Sequence, residues 1–548
     1  MLVRVDRPVF AAVSRDPATT EVMSPPYQGL LDKGGVWTEI QEVGSSEDEV
    51  EHTGPGPEPK QRHPLRWLAA TTKHSLFGHG THTRSNSGSN HHKLHKTAYL
   101  DGLRGFASLL VYCLHHEGFV HSSLILENGF GWDGHFHLAT FPWIRTFFSG
   151  GHYAVAVFFV ISGYVLSAKP LTLIHSGDHD RLSENVGSAL FRRWLRLYIP
   201  VIVTTFIVAS LPHVFGLKAN FEPQQTWRDE IWKWYCEFKN FSFVFRLGGD
   251  PWFSYHYHVW SIPFEFRGSI CIYTSLLAFS RCTRSARLWC EVGLIVYFLY
   301  IADGAQFAMF CAGMLLCDLD HLAERQQLPR WMNLSKFNSH LFWTMLFILG
   351  VFVGGCPSHH WDPQWLKAAP GWSSFAFLVP QAVFDYKWFF LFWASLLTVA
   401  SIPRLPWLKR FFEGRFCQYL GRISFAFYLV HGPVLWTLGG RLYAATGLWN
   451  DWQLTEIPGW INRLPLPYVG PWGLELNFLV PQLILLPVTL WLAELGTALL
   501  DDPSIRFSRW LYGKATGSTG SAAAAGDRES SSIQDRDAKA GDWAPLKR

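Results

Sequence analysis

The 548-residue chain alternates between apolar and polar stretches in a way that divides it into a polar head, a long apolar middle and a polar tail. About ten apolar segments, each near the length a bilayer requires, follow one another in the middle. They fall at 99–117, 150–168, 197–216, 260–279, 288–301, 304–320, 338–355, 386–402, 420–438 and 473–500. The pattern predicts an all-α integral membrane domain over 96–510 with about ten transmembrane helices. The two segments flanking Asp303 are short enough to form a re-entrant hairpin. The last segment is long enough to tilt, or to break at Pro481 or Pro487. Residues 1–95, rich in Pro, Gly, Ser and His, and residues 511–548 bury too little apolar surface to fold and are expected to be disordered. The opening MLVRVDRPVFAAVSRDP is too short and too broken by charge for a secretory signal.

Composition supports a membrane protein. Hydrophobic residues make up 49% and charged residues 16%, where soluble domains carry about 25% charged residues. The 27 Trp and 43 Phe suit interfacial aromatic belts. Lys and Arg gather in the loops 169–196, 281–287, 321–337 and 403–419, which makes those loops and both tails cytoplasmic by the positive-inside rule. The endoplasmic reticulum or plasma membrane is the expected location. A net charge of +4 without a basic, aromatic-laced run argues against nucleic acid. The nine Cys show neither a CxxC pair nor zinc spacing and read as small core residues. The His-rich stretch 74–96 matches no defined metal spacing either, so no metal is expected.

Chemistry concentrates in a few polar groups inside this apolar sequence. The first segment, YLDGLRGFASLLVYCLHHEG, carries Arg104 and, eleven positions on, His115. On a helix these lie within about 20° of one face and about 16 Å apart along the axis. Ionisable groups at such depth usually face a cavity. His116 competes weakly with His115, and the spacing favours His115. In FFVISGYVLSAKP, Ser162 and Gly163 suggest close helix packing. In LFRRWLRLYIP, Arg193 and Arg196 share a helix side with Arg192 beside them, a pattern that can clamp phosphate. Glu265, in WSIPFEF, needs a cationic partner or a polar substrate, with Arg104 and the Arg193/Arg196 pair as candidates. The preceding His256 and His258 are expected in surface or loop roles. His431, in GRISFAFYLVHGPV, is held as a secondary site.

These stretches together resemble the acyltransferase-3 family of multi-pass membrane acyltransferases. The resemblance rests on LDGLRG with Arg104 and His115, FFVISGYVL, the Arg192–Arg196 element, WSIPFE and SFAFYLVH, in that order over about 97–510. It implies about ten membrane helices and transfer of an acyl group, often acetyl, from acyl-CoA to a hydroxyl of a metabolite, lipid or glycan. It also implies that Arg104 and His115 are the essential pair and that Arg193, Arg196 and Glu265 take part; with Arg192 beside them, the arginines are the candidates to hold the phosphates of CoA. The Pro within WSIPFE departs from the family pattern and is expected to kink the start of its helix. Expected partners are the acyl-CoA donor, a hydroxylated acceptor and the bilayer. Polar tails without a secretory signal suggest a eukaryotic, fungal member. His115 suits a general base or a transient acyl carrier. A transporter of a polar or acylated compound is the alternative, since it too would use intramembrane Arg, His and Glu. A scaffold working through its tails is a third reading.

Overall fold

The structure, a computed structural model, describes residues 94–219, 221–245, 251–328 and 340–517. The expected disordered tails lie almost entirely outside these residues. The described chain is all-helical, without strands. Its longer helices are α1 (Ala98–Val120), α2 (Gly151–Ser176), α3 (His179–Phe215), α4 (Trp227–Phe241), α5 (Ser261–Phe279), α6 (Arg284–Tyr300), α7 (Ala305–Glu324), α8 (His340–Gly354), α9 (Tyr386–Ser401), α10 (Arg415–Val434), α11 (Leu476–Gly496) and α12 (Asp502–Ala515).

Each of the ten expected apolar segments carries a helix among the described residues. Four stretches are long and apolar enough to cross a bilayer: α2, α3, α10 extended through Thr446, and α11 extended through Ala515. A fifth is reached if Tyr386–Arg404 and Pro406–Phe412, bent by 101°, form one span. The count is thus four to five among the described residues, not clearly ten. For α1, α5 and α7, with 23, 19 and 20 residues, the shortfall is in apolar character; for the others it is length. The helices α6, α8 and α9 hold 17, 15 and 16 residues, which at 1.5 Å per residue fall short of a hydrocarbon core of about 30 Å. Neither Pro481 nor Pro487 breaks α11, which continues through a π turn at Thr497–Asp501 into α12. That last helix runs past the expected domain edge at 510.

Two pairs of glycines set the core. A Cβ on Gly163 would stand 2.0 Å from the Phe310 carbonyl oxygen, and one on Gly313 2.1 Å from that of Val160. Only hydrogen at these positions lets α2 and α7 touch backbone to backbone. Likewise a Cβ on Gly105 would meet the Gly421 nitrogen at 2.2 Å, and one on Gly421 the Asp101 oxygen at 2.4 Å. The helices α1 and α10 therefore cross closely and run parallel: Gly105 meets Gly421, Tyr112 stacks on Phe427 at 5.5 Å, and His115 stacks on His431 at 5.2 Å. Packed on α10, α11 runs antiparallel to both helices and reaches α1 through side chains. Tyr112 donates to Gln482 at 2.7 Å, and at the far end His121 lies between Glu117 (2.8 Å) and Glu475 (3.0 Å).

Candidate active site

Parallel register of α1 and α10 brings His115 to His431, and a third imidazole joins them. The turn Tyr257–Trp260, ahead of α5, delivers His258. Its ring stacks on His115 with centroids 3.5 Å apart and on His431 at 4.9 Å, with interplanar angles of 21° and 8°. His258 is 2% exposed and His431 1%, while His115 is half-buried and is the member of the set open to solvent. The expected surface roles for His256 and His258 are corrected here: both rings are buried. The loop turns inward because His256 Nε2 donates to the Leu429 carbonyl at 2.9 Å, and because Gly432 has no Cβ to strike His258 Nδ1, which would lie 2.8 Å away.

Tyr428 couples the two segments. Its hydroxyl donates to the His258 carbonyl and also hydrogen-bonds the Ser261 hydroxyl at 2.8 Å. Its own carbonyl accepts from His431 Nδ1 at 2.6 Å. Several imidazole nitrogens in this region are buried without any hydrogen-bond partner: both of His258, Nε2 of His431 and Nδ1 of His256. Unpaired buried polar atoms cost about 1–3 kcal/mol each, a cost that a bound polar group or water relieves.

One nitrogen from each of His115, His258 and His431 lies within 4.8 Å of the others. Tetrahedral zinc, with bonds of about 2.0–2.1 Å, needs its ligand atoms about 3.3 Å apart and in the planes of converging rings. Face-to-face rings do not converge their in-plane lone pairs on one point, so the stacked arrangement fits a metal poorly.

Of the doubled histidines, His115 enters the cluster and His116 does not. His116 Nδ1 pairs with the Tyr443 hydroxyl at 2.7 Å, and Gln482 donates to the same hydroxyl at 2.5 Å. Glu265 is away from the histidines. Its carboxylate accepts from Arg193 Nη2 at 2.8 Å and from Ser162 at 2.8 Å, while Arg193 Nε donates to Ser269 at 2.8 Å. Of the two pairings considered for Glu265, the structure has Arg193. Arg104 pairs with Asp101 at 2.8 Å, on the α1 turn near its start. Arg196 is exposed and forms no hydrogen bond or ion pair among the described residues, and Arg192 Nε donates back to Ser188 at 3.0 Å. Pro263 lies in the first turn of α5, where no intrahelical N–H bond is needed, so the expected kink is absent.

A cleft of about 510 Å³ lined by Asn128, Phe130, Phe136, Arg145, Phe352 and Trp372 contains none of these groups. Sequence reasoning missed His258 and Tyr428. The available signals were the closeness of YHYH to WSIPFE and the Gly432 that follows His431.

The chain is similar to known proteins over most of its length. Residues 97–493 match the family model Acyl_transf_3, an acyltransferase domain. The chain is 33% identical over 467 residues to O-acetyltransferase PaAT-1 of Phomopsis amygdali, covering 76% of this chain and 85% of that protein. It is 25% identical to acyltransferase clz18 of Cochliobolus lunatus, covering 64% of this chain and 84% of that one. It is also 25% identical to acyltransferase R4 of a Phoma species, with the same two shares. No solved structure gives a significant match.

Proposed function

The chain belongs to the acyltransferase-3 family, membrane-associated acyltransferases, and on that premise we propose that it moves an acetyl group from acetyl-CoA to a hydroxyl. The observation that carries this reading is the His115–His258–His431 cluster, whose unpaired nitrogens meet in apolar surroundings beside the one histidine open to solvent. Transfer to oxygen agrees with the name of the relative from Phomopsis amygdali. The acceptor is a hydroxylated metabolite, lipid or glycan.

In this reading the donor approaches from the cytoplasm, the side of both tails. Arg196 and Arg192 hold its phosphates, for which planar guanidinium groups are well suited. Arg193 serves that surface through its bond to Glu265, which orients it. Arg104 sits at the same end of α1, about 16 Å from His115, and acts on the donor rather than on the reacting bond. The thioester reaches His115, whose imidazole is suited to take the acceptor proton or to carry the acyl group in transit.

The test is release of free CoA by detergent-purified protein given acetyl-CoA and a panel of hydroxylated acceptors, beside His115→Ala. Acceptor-dependent release that falls by at least 10²-fold in the variant is expected, the low end of what a positioned acid or base contributes. Equal release by the two proteins would remove His115 from the chemistry. Protein that neither binds nor consumes acetyl-CoA would favour the transporter.

A further inference from the structure

We infer that the reaction is a double displacement in which His115 carries the acyl group and His431 is the base that admits the acceptor. This rests on the acyl-CoA reading above and divides labour within the same cluster.

The argument begins with the tautomer of His431. Its Nδ1 lies 2.6 Å from the Tyr428 carbonyl oxygen, which can only accept, so Nδ1 carries the hydrogen. In the neutral ring Nε2 is then a bare lone pair, and it is buried with no partner. A fixed tautomer with a lone pair facing the reaction space is what a general base requires, and the Tyr428 carbonyl orients it as a third group does in catalytic triads. His256 is locked in the same way, through its Nε2–H to Leu429. His115 is different: no hydrogen bond among the described residues fixes either of its nitrogens, and it is the half-buried member of the cluster. It is the imidazole a donor meets first and the one free to act as nucleophile.

The geometry allows both steps. In the first, a lone pair on His115 attacks the thioester carbon, the C–S bond breaks, and the other ring nitrogen gives up its proton to the departing thiolate. The products are N-acetyl-His115 and free CoA. In the second, His431 Nε2 takes the acceptor's hydroxyl proton as that oxygen attacks the acetyl carbon. The C–N bond to His115 then breaks and the proton on His431 returns to His115, leaving the ester and both rings neutral. The reacting nitrogens lie within 4.8 Å of one another. A hydroxyl oxygen hydrogen-bonded to one at about 2.6–3.2 Å can therefore sit about 3–3.5 Å from an acyl carbon attached to the other. His258 stacks on both rings, and its N–H is a donor available to the developing oxyanion.

The experiment uses the full-length purified protein and acetyl-labelled acetyl-CoA without any acceptor. Wild type is expected to release about one CoA per chain in a burst and to retain about one hydroxylamine-labile acetyl group, the fingerprint of a covalent carrier. His115→Ala should show neither. His431→Gln should keep the burst and the label but pass acetyl to an acceptor at least 10²-fold more slowly, with added imidazole restoring part of that rate. Wild-type protein that turns over with an acceptor yet shows no burst would overturn the carrier and leave the acyltransferase reading intact. Label surviving in His115→Ala, or wild-type transfer by His431→Gln, would overturn the division of roles. So would loss of the label in His431→Gln protein that elutes as wild type does. Absence of acetyl-CoA consumption under every condition would instead sink the reading on which this inference rests.

Discussion

His121, at the end of α1, sits between the carboxylates of Glu117 and Glu475. Burial works against a charge there, but the two carboxylates outweigh it and raise the imidazole from its ordinary 6.5 to about 9. For Glu475, burial pushes the carboxyl up, and His121 with the Tyr468 hydroxyl more than reverses this, holding it below its usual range. The signs decide the pH window. A raised histidine contributes stability fully below 6.5 and loses it as pH rises through 9. A lowered carboxylate contributes above its ordinary 4.5 and loses that share as pH falls below it. Thermal unfolding in detergent should therefore show a plateau near pH 5–6.5 and a loss of about 3 kcal/mol by pH 9.5, a loss that His121→Gln lacks. An equally flat profile for both proteins would refute it. At this level the chain was only partly legible. His115 could be chosen over His116 from spacing alone, whereas His256 and His258 looked exposed because nothing local in YHYH shows that Gly432 leaves space for them.

Between helices, the ion pair Arg193–Glu265 joins α3 to α5, and Ser162 brings α2 to the same carboxylate. Both side chains are 14% exposed. Removing one charge strands the other, which costs about 3–5 kcal/mol when the pair is buried. Glu265→Gln should therefore lower the unfolding midpoint and the yield of folded protein, and raise the KM for acetyl-CoA in the surviving fraction because Arg193 loses its orienting partner. Pairing it with Arg193→Met should recover most of the stability. A raised KM with unchanged stability would show that Glu265 acts on the donor instead. The sequence foretold that this glutamate needed a cation but not which one, because partners come from helices 72 residues apart. Gly163 of FFVISGYVL had a readable meaning, close packing, whereas Gly105 of LDGLRG carried no such signal. Their partners Gly421 and Gly313 became identifiable only when α1 met α10 and α2 met α7.

Across the whole bundle, Arg104 lies in the first turns of α1 with Arg196 near it, and His115 with its stacked partners lies toward the other end of that helix. A cytoplasmic donor makes this asymmetry measurable. In sealed vesicles, acetyl-CoA should be consumed only when supplied on the face bearing Arg192 and Arg196, with CoA release on the opposite face appearing after permeabilisation. Consumption from the opposite face of intact vesicles would reverse the proposed sidedness. Helix positions, the polar groups buried among apolar residues and the family follow from linear pattern, because periodicity, length and motif order are local properties of a chain. The number of bilayer-crossing helices does not follow in the same way, since several apolar segments fold into helices too short to count by themselves. The meeting of the histidines was beyond linear pattern. The three, at 115, 258 and 431, meet through the parallel crossing at Gly105 and Gly421 and the Tyr428 bridge, contacts between residues far apart in sequence that only packing creates.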